Sequence, residues 1–415
     1  MNSKPDADLT RQNLKRIMGF YRERLSQADQ GNSPVAWLTA VAPVELCVAM
    51  DILPVFPENY GAFFAARGFA RELCEAAVNQ GYSEDLCTYA LSNIGSIILQ
   101  KGLTETQGLP KPDLLIATQY GCVTHVKWWE EMARMLKVPL FILDAAYTLE
   151  EEPQPHQVEY FRNQILANIE FLENVLGRKM DYDRLGEVVE LSGEAGRLWE
   201  KTLALRRYHP CPLGPMEVYT HMAVAVTLCG SEDAVNHYSL LHQDISDRVK
   251  RGQGVVPEER FRLIWDFFPF WYNLGLFRKF EAQGAVFVAD VYGSAFSADM
   301  DGRNPIASIV DRYGRRERPA KTGSTGRAEE YCRLIEDYGV DGVVFHSNRS
   351  CRFFSPRQFD MLRVFNQRYG LPSLVIEGDM TNPVYFSEER VDTQIGTFVE
   401  MLESRKQSEG CHGKG

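Results

Sequence analysis

The length, composition and charge of the chain indicate a globular protein of two or three domains. Its 415 residues are 45% hydrophobic, 11% aromatic and 24% charged, with a formal net charge of −11, so we expect neither a disordered nor a fibrous chain. The acidic balance also argues against a nucleic-acid partner, because phosphate backbones are bound by basic faces.

Targeting and redox signals favour a reduced, cytoplasmic protein. The N-terminal stretch MNSKPDADLTRQNLKRIMGFYRERL is charged and helical in pattern, without the apolar centre of a secretory signal. No run approaches the ~20 apolar residues that span a bilayer. The nine cysteines are therefore not expected to form a disulfide framework. Because the sequence holds no CxxC pair, zinc ribbons and rubredoxin-like sites are disfavoured.

Two βαβ units follow the same plan. From Asp113, DLLIATQYG predicts a strand, Cys122 follows it, VTHVKWWEEMARMLK has the pattern of a helix and VPLFILDAAY predicts the next strand. From Asp341, DGVVFHSNRS is followed by Cys351, the helix SPRQFDMLRVFNQRYG and the strand LPSLVIEGDM. The same order of features therefore occurs twice.

The agreement between the two units extends to single residues. In each, a proline precedes the second strand and an aspartate ends it: Pro139 and Asp144, Pro372 and Asp379. We therefore predict an α/β protein of two similar Rossmann-like or flavodoxin-like domains. Such sheets bind ligands in the crevice outside the carboxyl ends of their strands. Two facing crevices would bring Cys122 and Cys351 together at one site between the domains.

Helical periodicity separates the two α/β domains. It is clear in YFRNQILANIEFLENVLG, LGEVVELSGEAGRLWEKTLALRR and EDAVNHYSLLHQDISDRVKRG. We predict an N-terminal helix and first α/β domain at 1–150, a helical insert or bridge at 151–262 and a second α/β domain at 263–405, which includes a strand AVFVADVYG from Ala285. The polar, Gly-rich end at 406–415 is expected to be disordered.

Three cysteines are candidate ligands of an iron–sulfur cluster. A single cysteine is most often a small buried hydrophobe, and that interpretation fits those in helical apolar patterns, namely Cys47, Cys74, Cys229 and Cys332. Cys211, in HPCPLGP, is compatible with either interpretation, a buried hydrophobe or a ligand. Cys122 and Cys351 stand out by their matching positions after strands, and Cys87 in GYSEDLCTYALSNIG lies in a polar loop-to-helix segment. Three thiolates around a [4Fe–4S] cluster would leave one iron open.

These segments carry a resemblance to a known superfamily. GYSEDLCTYALSNIG, QYGCVTHVKWWEEM, HSNRSCRFFS and VIEGDM, in that order, resemble the catalytic subunits of the 2-hydroxyacyl-CoA dehydratase and benzoyl-CoA reductase superfamily, over about Ala36 to Leu402. SEDLCTY and CVTHVKWW resemble the B-type subunit of ATP-dependent benzoyl-CoA reductases more than the dehydratases. The resemblance implies a heteromeric enzyme with a [4Fe–4S] cluster bound by Cys87, Cys122 and Cys351.

The resemblance also implies partners. The cluster would pass single low-potential electrons to an acyl-CoA thioester, alongside a homologous second catalytic subunit, with electrons from an ATP-hydrolysing iron–sulfur activator. The chain has no GxxxxGK[ST] phosphate loop, which fits a subunit that receives electrons without binding ATP. One departure is the final loop, where GDMTNPVYF and DTQIG stand in place of the family's GDxxDxR and later Thr-Arg.

Further candidates flank the cysteines, each with a structural alternative. His125 and His346 are candidate proton donors, although a hydrogen-bonded structural histidine is commoner. Lys127 and Trp128 are candidate substrate-binding residues, although a tryptophan in this position usually packs.

Arg349 and Arg352 flank Cys351 and are candidates for binding the CoA phosphates or tuning the cluster's charge, while a solvated surface role is equally compatible. The Arg-rich run RYGRRERPAKTGSTGR, at 312–327, has two interpretations: a loop that binds the CoA 3′-phosphate, or an ordinary solvated loop.

Three functions are compatible with these residues. The first is an aromatic acyl-CoA reductase subunit that transfers single electrons and protons to the ring. The second is a subunit of an (R)-2-hydroxyacyl-CoA dehydratase, which eliminates water through a ketyl radical without net redox change. The third is a non-catalytic subunit that holds a cluster or completes an interface.

Overall fold

The computed structural model describes residues 5–101, 109–120, 122–145, 153–297, 299–316 and 324–412. The chain divides into two compact units. The first takes Met1–Lys201, His221–Asp244 and Phe296–Thr322, and the second takes Thr202–Thr220, Ile245–Ala295 and Gly323–Gly415. The helices of the predicted bridge at 151–262 are therefore shared between the two units.

The first unit is built on a four-stranded parallel sheet with the strand order β2-β1-β3-β4. Its strands are β1 (Val35–Leu38), β2 (Leu53–Val55), β3 (Leu114–Thr118) and β4 (Leu140–Leu143). The three strands β1, β2 and β3 are buried throughout, as expected for a parallel sheet covered on both faces.

The second unit repeats this topology in a four-stranded parallel sheet with the order β6-β5-β7-β8. Its strands are β5 (Phe261–Asp266), β6 (Ala285–Asp290), β7 (Gly342–Asn348) and β8 (Ser373–Gly378). In both sheets the chain starts at an inner strand, moves outward to one neighbour and then crosses to the other side. This is the flavodoxin-like order, and its switch point lies between the first and third strands.

Helices cover the sheets and fill the predicted bridge. In chain order they are α1 (Pro5–Asp29), α2 (Val44–Ala49), α3 (Pro57–Ala66), α4 (Ala70–Asn79), α5 (Thr88–Leu99), α6 (Val123–Leu136), α7 (Pro155–Leu176), α8 (Tyr182–Ala204), α9 (Pro215–Thr227), α10 (Glu232–Lys250), α11 (Leu276–Glu281), α12 (Val291–Ser294), α13 (Pro305–Asp311), α14 (Ser324–Tyr338), α15 (Gln358–Tyr369) and α16 (Glu388–His412). None of the helices in the described ranges is long and apolar enough to cross a membrane.

Equivalent aspartates tie the inner strands together in the two units. The Asp113 carboxylate accepts a hydrogen bond from Val35 N at 2.8 Å, and the Asp113 amide donates to Val35 O at 2.8 Å. Asp341 makes the same pair of bonds with Arg262, at 2.8 and 2.7 Å. The aspartate that opens each third strand therefore fixes the start of the first strand, which is why it occurs in both copies.

The structure confirms the mixed α/β fold and the two parallel sheets, and it adds strands that the sequence analysis missed. The predicted strands are present as β3, β4, β6, β7 and β8, and the helices after the two cysteines are α6 and α15. Strands β1 and β2 are only four and three residues long, too short for a periodic pattern. Strand β5 lies in the aromatic run FRLIWDFFPF, where continuous hydrophobicity hid its boundaries.

The C-terminal segment differs from the expected disorder at 406–415. Helix α16 continues to His412, and 413–415 lie outside the described residues. Lys406 Nζ lies 3.1 Å from the Asp341 carboxylate and donates to Arg260 O at 2.6 Å, while Arg405 donates to Asp341 O and Tyr369 O. The polar composition suggested a free tail, but Arg405 and Lys406 bond α16 to the start of the second sheet, and the helix continues beyond them.

Candidate functional site

The switch point of the first sheet places Cys122 beside the ends of β1 and β3. Thr39 follows β1 and Thr118 is the last residue of β3, and their side-chain hydroxyls lie 3.0 Å apart. Cys122 is the N-cap residue of α6, with extended backbone angles, and its carbonyl accepts from the His125 amide at 3.0 Å. The half-buried thiol is thus held at the positive end of a helix, a setting that favours negative charge.

A buried carboxylate–histidine pair lies next to Cys122. His125 Nε2 is 3.1 Å from Glu58 Oε1, and the two side chains are only 9% and 17% exposed. The other oxygen of Glu58 accepts from the Ala40 amide at 2.5 Å, just beyond the end of β1. Because a carboxylate only accepts, the His125 Nε2 carries the proton in this pair.

Glu58 was missed by the sequence analysis, and no strong signal marks it. It lies in the first turn of α3, where acidic residues are common because they interact favourably with the helix dipole. Only the tertiary structure brings it to His125.

Burial dominates the electrostatics of Cys122. It raises the pKa of the thiol, and the Glu58 carboxylate adds to the rise, while hydrogen bonds from Thr124 and the amide of His125 oppose it. A proton must therefore leave Cys122 when the sulfur binds a metal, which couples binding to pH.

Cys87 occupies the same kind of position on a neighbouring helix. It is half-buried and is the N-cap residue of α5, and its carbonyl accepts from the Leu91 amide at 3.0 Å. Helix α5 packs against α4 and α6 within the first unit. Cys74 of α4 donates its thiol to the Thr88 carbonyl at 3.7 Å, so its role is packing, as expected.

The buried and exposed faces of α6 separate the candidates that follow Cys122. Trp128 and Trp129 are 4% and 0% exposed, and their rings lie 4.4 Å apart. His125 Nδ1 and both indole nitrogens are buried without a hydrogen-bond partner within the described residues. Lys127 lies on the exposed face and pairs with Glu130 at 2.7 Å. The structure therefore brings His125 and Trp128 together and leaves Lys127 apart from them.

In the second unit Cys351 lies in a tight turn after β7. Its amide donates to Asn348 O at 3.2 Å, and its carbonyl accepts from the Ser355 amide at 3.4 Å. The Ser355 hydroxyl donates to the same Asn348 carbonyl at 2.8 Å. The half-buried thiol thus lies at the switch point of the second sheet, as Cys122 does in the first.

His346 lies within β7, fully inside the second unit. Its Nδ1 is 2.6 Å from Phe268 O, so this nitrogen carries the proton. Burial lowers the pKa of His346 to about 4, against smaller opposing effects of that bond and of Asp379. The neutral ring leaves Nε2 as a buried acceptor without a partner in the described chain. This arrangement fits an accepting role better than proton donation.

The two arginines beside Cys351 lie at the surface. Arg349 pairs with Glu377 at 2.7 Å and lies over the Tyr385 ring at 4.5 Å, and Arg352 is exposed. In the final loop GDMTNPVYF, whose sequence departs from the family pattern, the Asp379 carboxylate accepts from the amides of Thr381 and Asn382 at 2.8 Å. That loop is therefore ordered around Asp379 even without the family's usual residues.

The accessibility of the thiols separates the three candidate ligands from the others. Of the eight cysteines described, Cys47, Cys74, Cys211 and Cys332 are buried. Cys229 is half-buried but bonded to Ser192 and Glu45, at 3.1 and 3.5 Å. The remaining three, none of them in a disulfide, are the candidates Cys87, Cys122 and Cys351.

These thiols fit a cluster by their chemistry and their position at strand or helix ends. Within the described parts of the chain, no group of three or more His, Cys, Asp or Glu side chains is arranged to hold a metal ion. Cys87 and Cys122 belong to the first unit and Cys351 to the second, so the convergence of all three remains a prediction.

Comparison with known proteins identifies the family. The sequence profile of the family described as 2-hydroxyglutaryl-CoA dehydratase, D-component, matches residues 39–402. The chain belongs to this family. It is 32% identical to the (R)-2-hydroxyisocaproyl-CoA dehydratase alpha subunit of Clostridioides difficile, over 92% of this chain and 93% of the relative.

Two further relatives are a dehydratase subunit and a reductase subunit. The chain is 28% identical to the (R)-phenyllactyl-CoA dehydratase alpha subunit of Clostridium sporogenes, over 95% of this chain and 96% of the relative. It is also 28% identical to a benzoyl-CoA reductase subunit of Thauera aromatica, over 94% of this chain and 93% of the relative. This member of the 2-hydroxyglutaryl-CoA dehydratase D-component family is therefore a subunit of an enzyme.

The comparisons correct the order of the functional hypotheses. SEDLCTY and CVTHVKWW favoured a benzoyl-CoA reductase, but the relative with 32% identity is a dehydratase alpha subunit, and others of that kind match over similar lengths. The dehydratase alternative is thus better supported. The two segments are only seven and eight residues long, whereas the whole-chain similarity covers more than nine-tenths of the chain.

Proposed function

We propose that this chain is the α-type catalytic subunit of an (R)-2-hydroxyacyl-CoA dehydratase. Full-length similarity to dehydratase alpha subunits is the observation that carries this proposal. The reaction removes the 2-hydroxyl group and a proton from C3 and yields a 2-enoyl-CoA and water, without net redox change. The enzyme would also include a homologous second catalytic subunit and an ATP-hydrolysing iron–sulfur activator.

Cys87, Cys122 and Cys351 would hold a [4Fe–4S] cluster. When bound, such a cluster supplies single electrons at low potential and, with three thiolate ligands, leaves one iron without a protein ligand. The proposal is supported by the three half-buried thiols at the switch points and helix N-termini of the two units.

The Glu58–His125 pair would accept the proton that leaves C3 of the substrate. With the His125 Nε2 proton directed at Glu58, the ring can take a proton at Nδ1, which has no partner within the described residues. Glu58 would then stabilise the resulting imidazolium and hold the ring in one orientation. Because the pair is largely buried, the charge interaction is stronger there than in water.

Substrate binding is proposed for residues around the two cysteines. Trp128 would contribute apolar contact near His125, and the exposed cations Lys127, Arg349 and Arg352 would bind the CoA phosphates. His346 would accept a hydrogen bond through Nε2 rather than donate a proton.

The decisive experiment counts electrons per product. The anaerobic chain is combined with a second catalytic subunit and activator and supplied with ATP and limiting reductant. Many molecules of a 2-hydroxyacyl-CoA converted per electron would support the dehydratase. Consumption of reductant in proportion to product with benzoyl-CoA, and no turnover of 2-hydroxyacyl-CoA, would replace it with the reductase alternative.

Iron analysis tests the cluster separately. We expect about one [4Fe–4S] per chain after anaerobic purification, with Cys87→Ser, Cys122→Ser or Cys351→Ser losing most of the iron. Cys47→Ser is the matched control, since that thiol is buried in the core, and it should keep its iron. Full iron in all three ligand variants would end the ligand assignment, and an iron-free wild-type chain would leave the third, non-catalytic interface function.

A further inference from the structure

A backbone strain marks the second switch point. Phe267 follows the last residue of β5 and has a φ of 68°, in the left-handed region that a side chain with a Cβ rarely adopts. Such conformations persist only where the surrounding structure holds them in place, and they concentrate at functional sites.

Hydrogen bonds fix the chain on both sides of Phe267. Before it, the buried Asp266 carboxylate accepts from the Tyr331 hydroxyl and from Gln358 Nε2. After it, the Phe268 carbonyl accepts from Trp265 Nε1 at 3.2 Å and from His346 Nδ1 at 2.6 Å. The strained conformation is therefore imposed by its neighbours.

The left-handed backbone conformation places the Phe267 ring against the turn that contains Cys351. Its centroid lies 3.4 Å from that of Phe354, with the planes 25° apart, and Phe354 is three residues after Cys351. The Arg327 guanidinium lies 5.7 and 5.5 Å from the two ring centroids, and its side chain is 12% exposed. A buried cation over two stacked rings adds an attraction that a surface contact would lack.

The turn is thus held from two directions. Hydrogen bonds among Asn348, Cys351 and Ser355 close it on the side of β7, and the stack of Phe267 on Phe354 holds it on the side of β5. Loss of the stack would release the turn on the β5 side, next to a half-buried thiol.

We propose that Phe267, Phe354 and Arg327 form an aromatic clamp whose function is to position the Cys351 thiol. The three are positioning residues, and the proposal deepens the proposed function because it rests on the role of Cys351 as a ligand. A thiol held in one orientation can bind a cluster without the cost of ordering its loop. The strain at Phe267 is the structural cost of that order.

The test measures the thiol itself in the reduced, iron-free full-length chain. Iodoacetamide labelling is followed by mass spectrometry at Cys351, with Cys87 and Cys122 of the first unit as internal references. We expect Phe267→Leu or Phe354→Leu to raise the Cys351 rate about two- to tenfold, as expected from the loss of one aromatic pair. The reference rates should stay within about twofold.

Matched variants separate the clamp from general destabilisation. Phe267→Tyr keeps the ring stack, so its Cys351 should be labelled at the wild-type rate. Phe280→Leu removes a fully buried ring that packs on Phe287, so it should lower thermal stability without raising the Cys351 rate. The double variant Phe267→Leu/Phe354→Leu should react no faster than either single variant, because the two rings form one contact.

Several outcomes would overturn the clamp: unchanged labelling in both single variants, additive increases in the double variant, or the same increase in Phe280→Leu. Failure of the proposed function has a different signature, namely full iron in Cys351→Ser, and it would leave the labelling result as it stands.

Discussion

At the scale of single residues, the Glu58–His125 pair carries the proton transfer in the proposed function. Glu58 is held at Ala40 N, and its other oxygen faces His125 Nε2 at 3.1 Å. An anchored carboxylate fixes the tautomer and orientation of the imidazole, which a mobile surface carboxylate does not.

The first prediction is that Glu58→Gln lowers turnover about a hundredfold or more, since general acid–base groups contribute roughly that factor. The amide has one oxygen, which can accept from Ala40 N or from His125 but not from both, and it cannot stabilise an imidazolium. Iron content should stay near wild type, and the lost hydrogen bond should lower the free energy of unfolding by about 1 kcal/mol.

The control for this variant is Glu130→Gln, which removes an equivalent charge from the exposed face of α6. It should leave turnover within about twofold, because exposed ion pairs contribute little. Equal losses in the two variants would contradict the role of Glu58.

His346 gives the second prediction, which concerns pH. Its folded pKa is about 4 against an unfolded value of ~6.5, so the unfolded chain binds more protons between these values. The stability due to the neutral ring is therefore complete above pH ~6.5 and is lost as pH falls towards 4. The full effect is on the order of 3 kcal/mol.

Urea unfolding at pH 7.5 and pH 5 measures this effect. His346→Gln should be less stable than wild type at pH 7.5 yet lose less stability on going to pH 5. The exposed His156→Gln should follow wild type at both values. A pH dependence that is the same in His346→Gln and wild type would show that another group is responsible.

At the scale of elements, the position of Cys87 depends on the close packing of α5 on α4. A Cβ on Gly95 would lie 1.8 Å from the carbonyl oxygen of Leu73, so only glycine allows the two helices to approach this far. Helix α5 starts at Cys87, and a displaced α5 would move that thiol.

The third prediction is that Gly95→Ala lowers the free energy of unfolding by about 1–3 kcal/mol, because the helices must separate. It should also reduce iron content through Cys87. Gly396→Ala is the control: a Cβ there meets nothing within 4 Å, so alanine should raise stability by roughly 0.5–1 kcal/mol. Calorimetry and iron analysis of both variants check the result, and a stabilised Gly95→Ala would contradict it.

At the scale of the whole molecule, two units of the same topology each present a cysteine at a switch point. This repetition explains why one cysteine follows β3 and another follows β7. The sequence contains no GxxxxGK[ST] motif, and the proposed function assigns ATP hydrolysis to a separate activator.

The fourth prediction is that the isolated chain is inactive towards acyl-CoA substrates. Turnover should appear only with a second catalytic subunit, the activator, ATP and a strong reductant, and air should abolish it. The control omits ATP from the complete mixture. Turnover by the chain alone without ATP would contradict both the dehydratase and the reductase hypotheses.

The sequence by itself was sufficient for the repeated βαβ units and for the cysteines that follow them. Periodic patterns such as VTHVKWWEEMARMLK define a helix locally, because its face is set by residues three and four apart. The family resemblance was likewise carried by short ordered segments, and the profile match over 39–402 confirms it.

Tertiary structure alone decided the rest, because the deciding contacts join residues far apart in the chain. Glu58 and His125 meet across 67 positions, and Lys406 bonds to Asp341 at the start of the second sheet. The short strands β1 and β2 gain their stability from pairing within a buried sheet and not from local propensity. The strain at Phe267 exists only because distant side chains hold both of its neighbours.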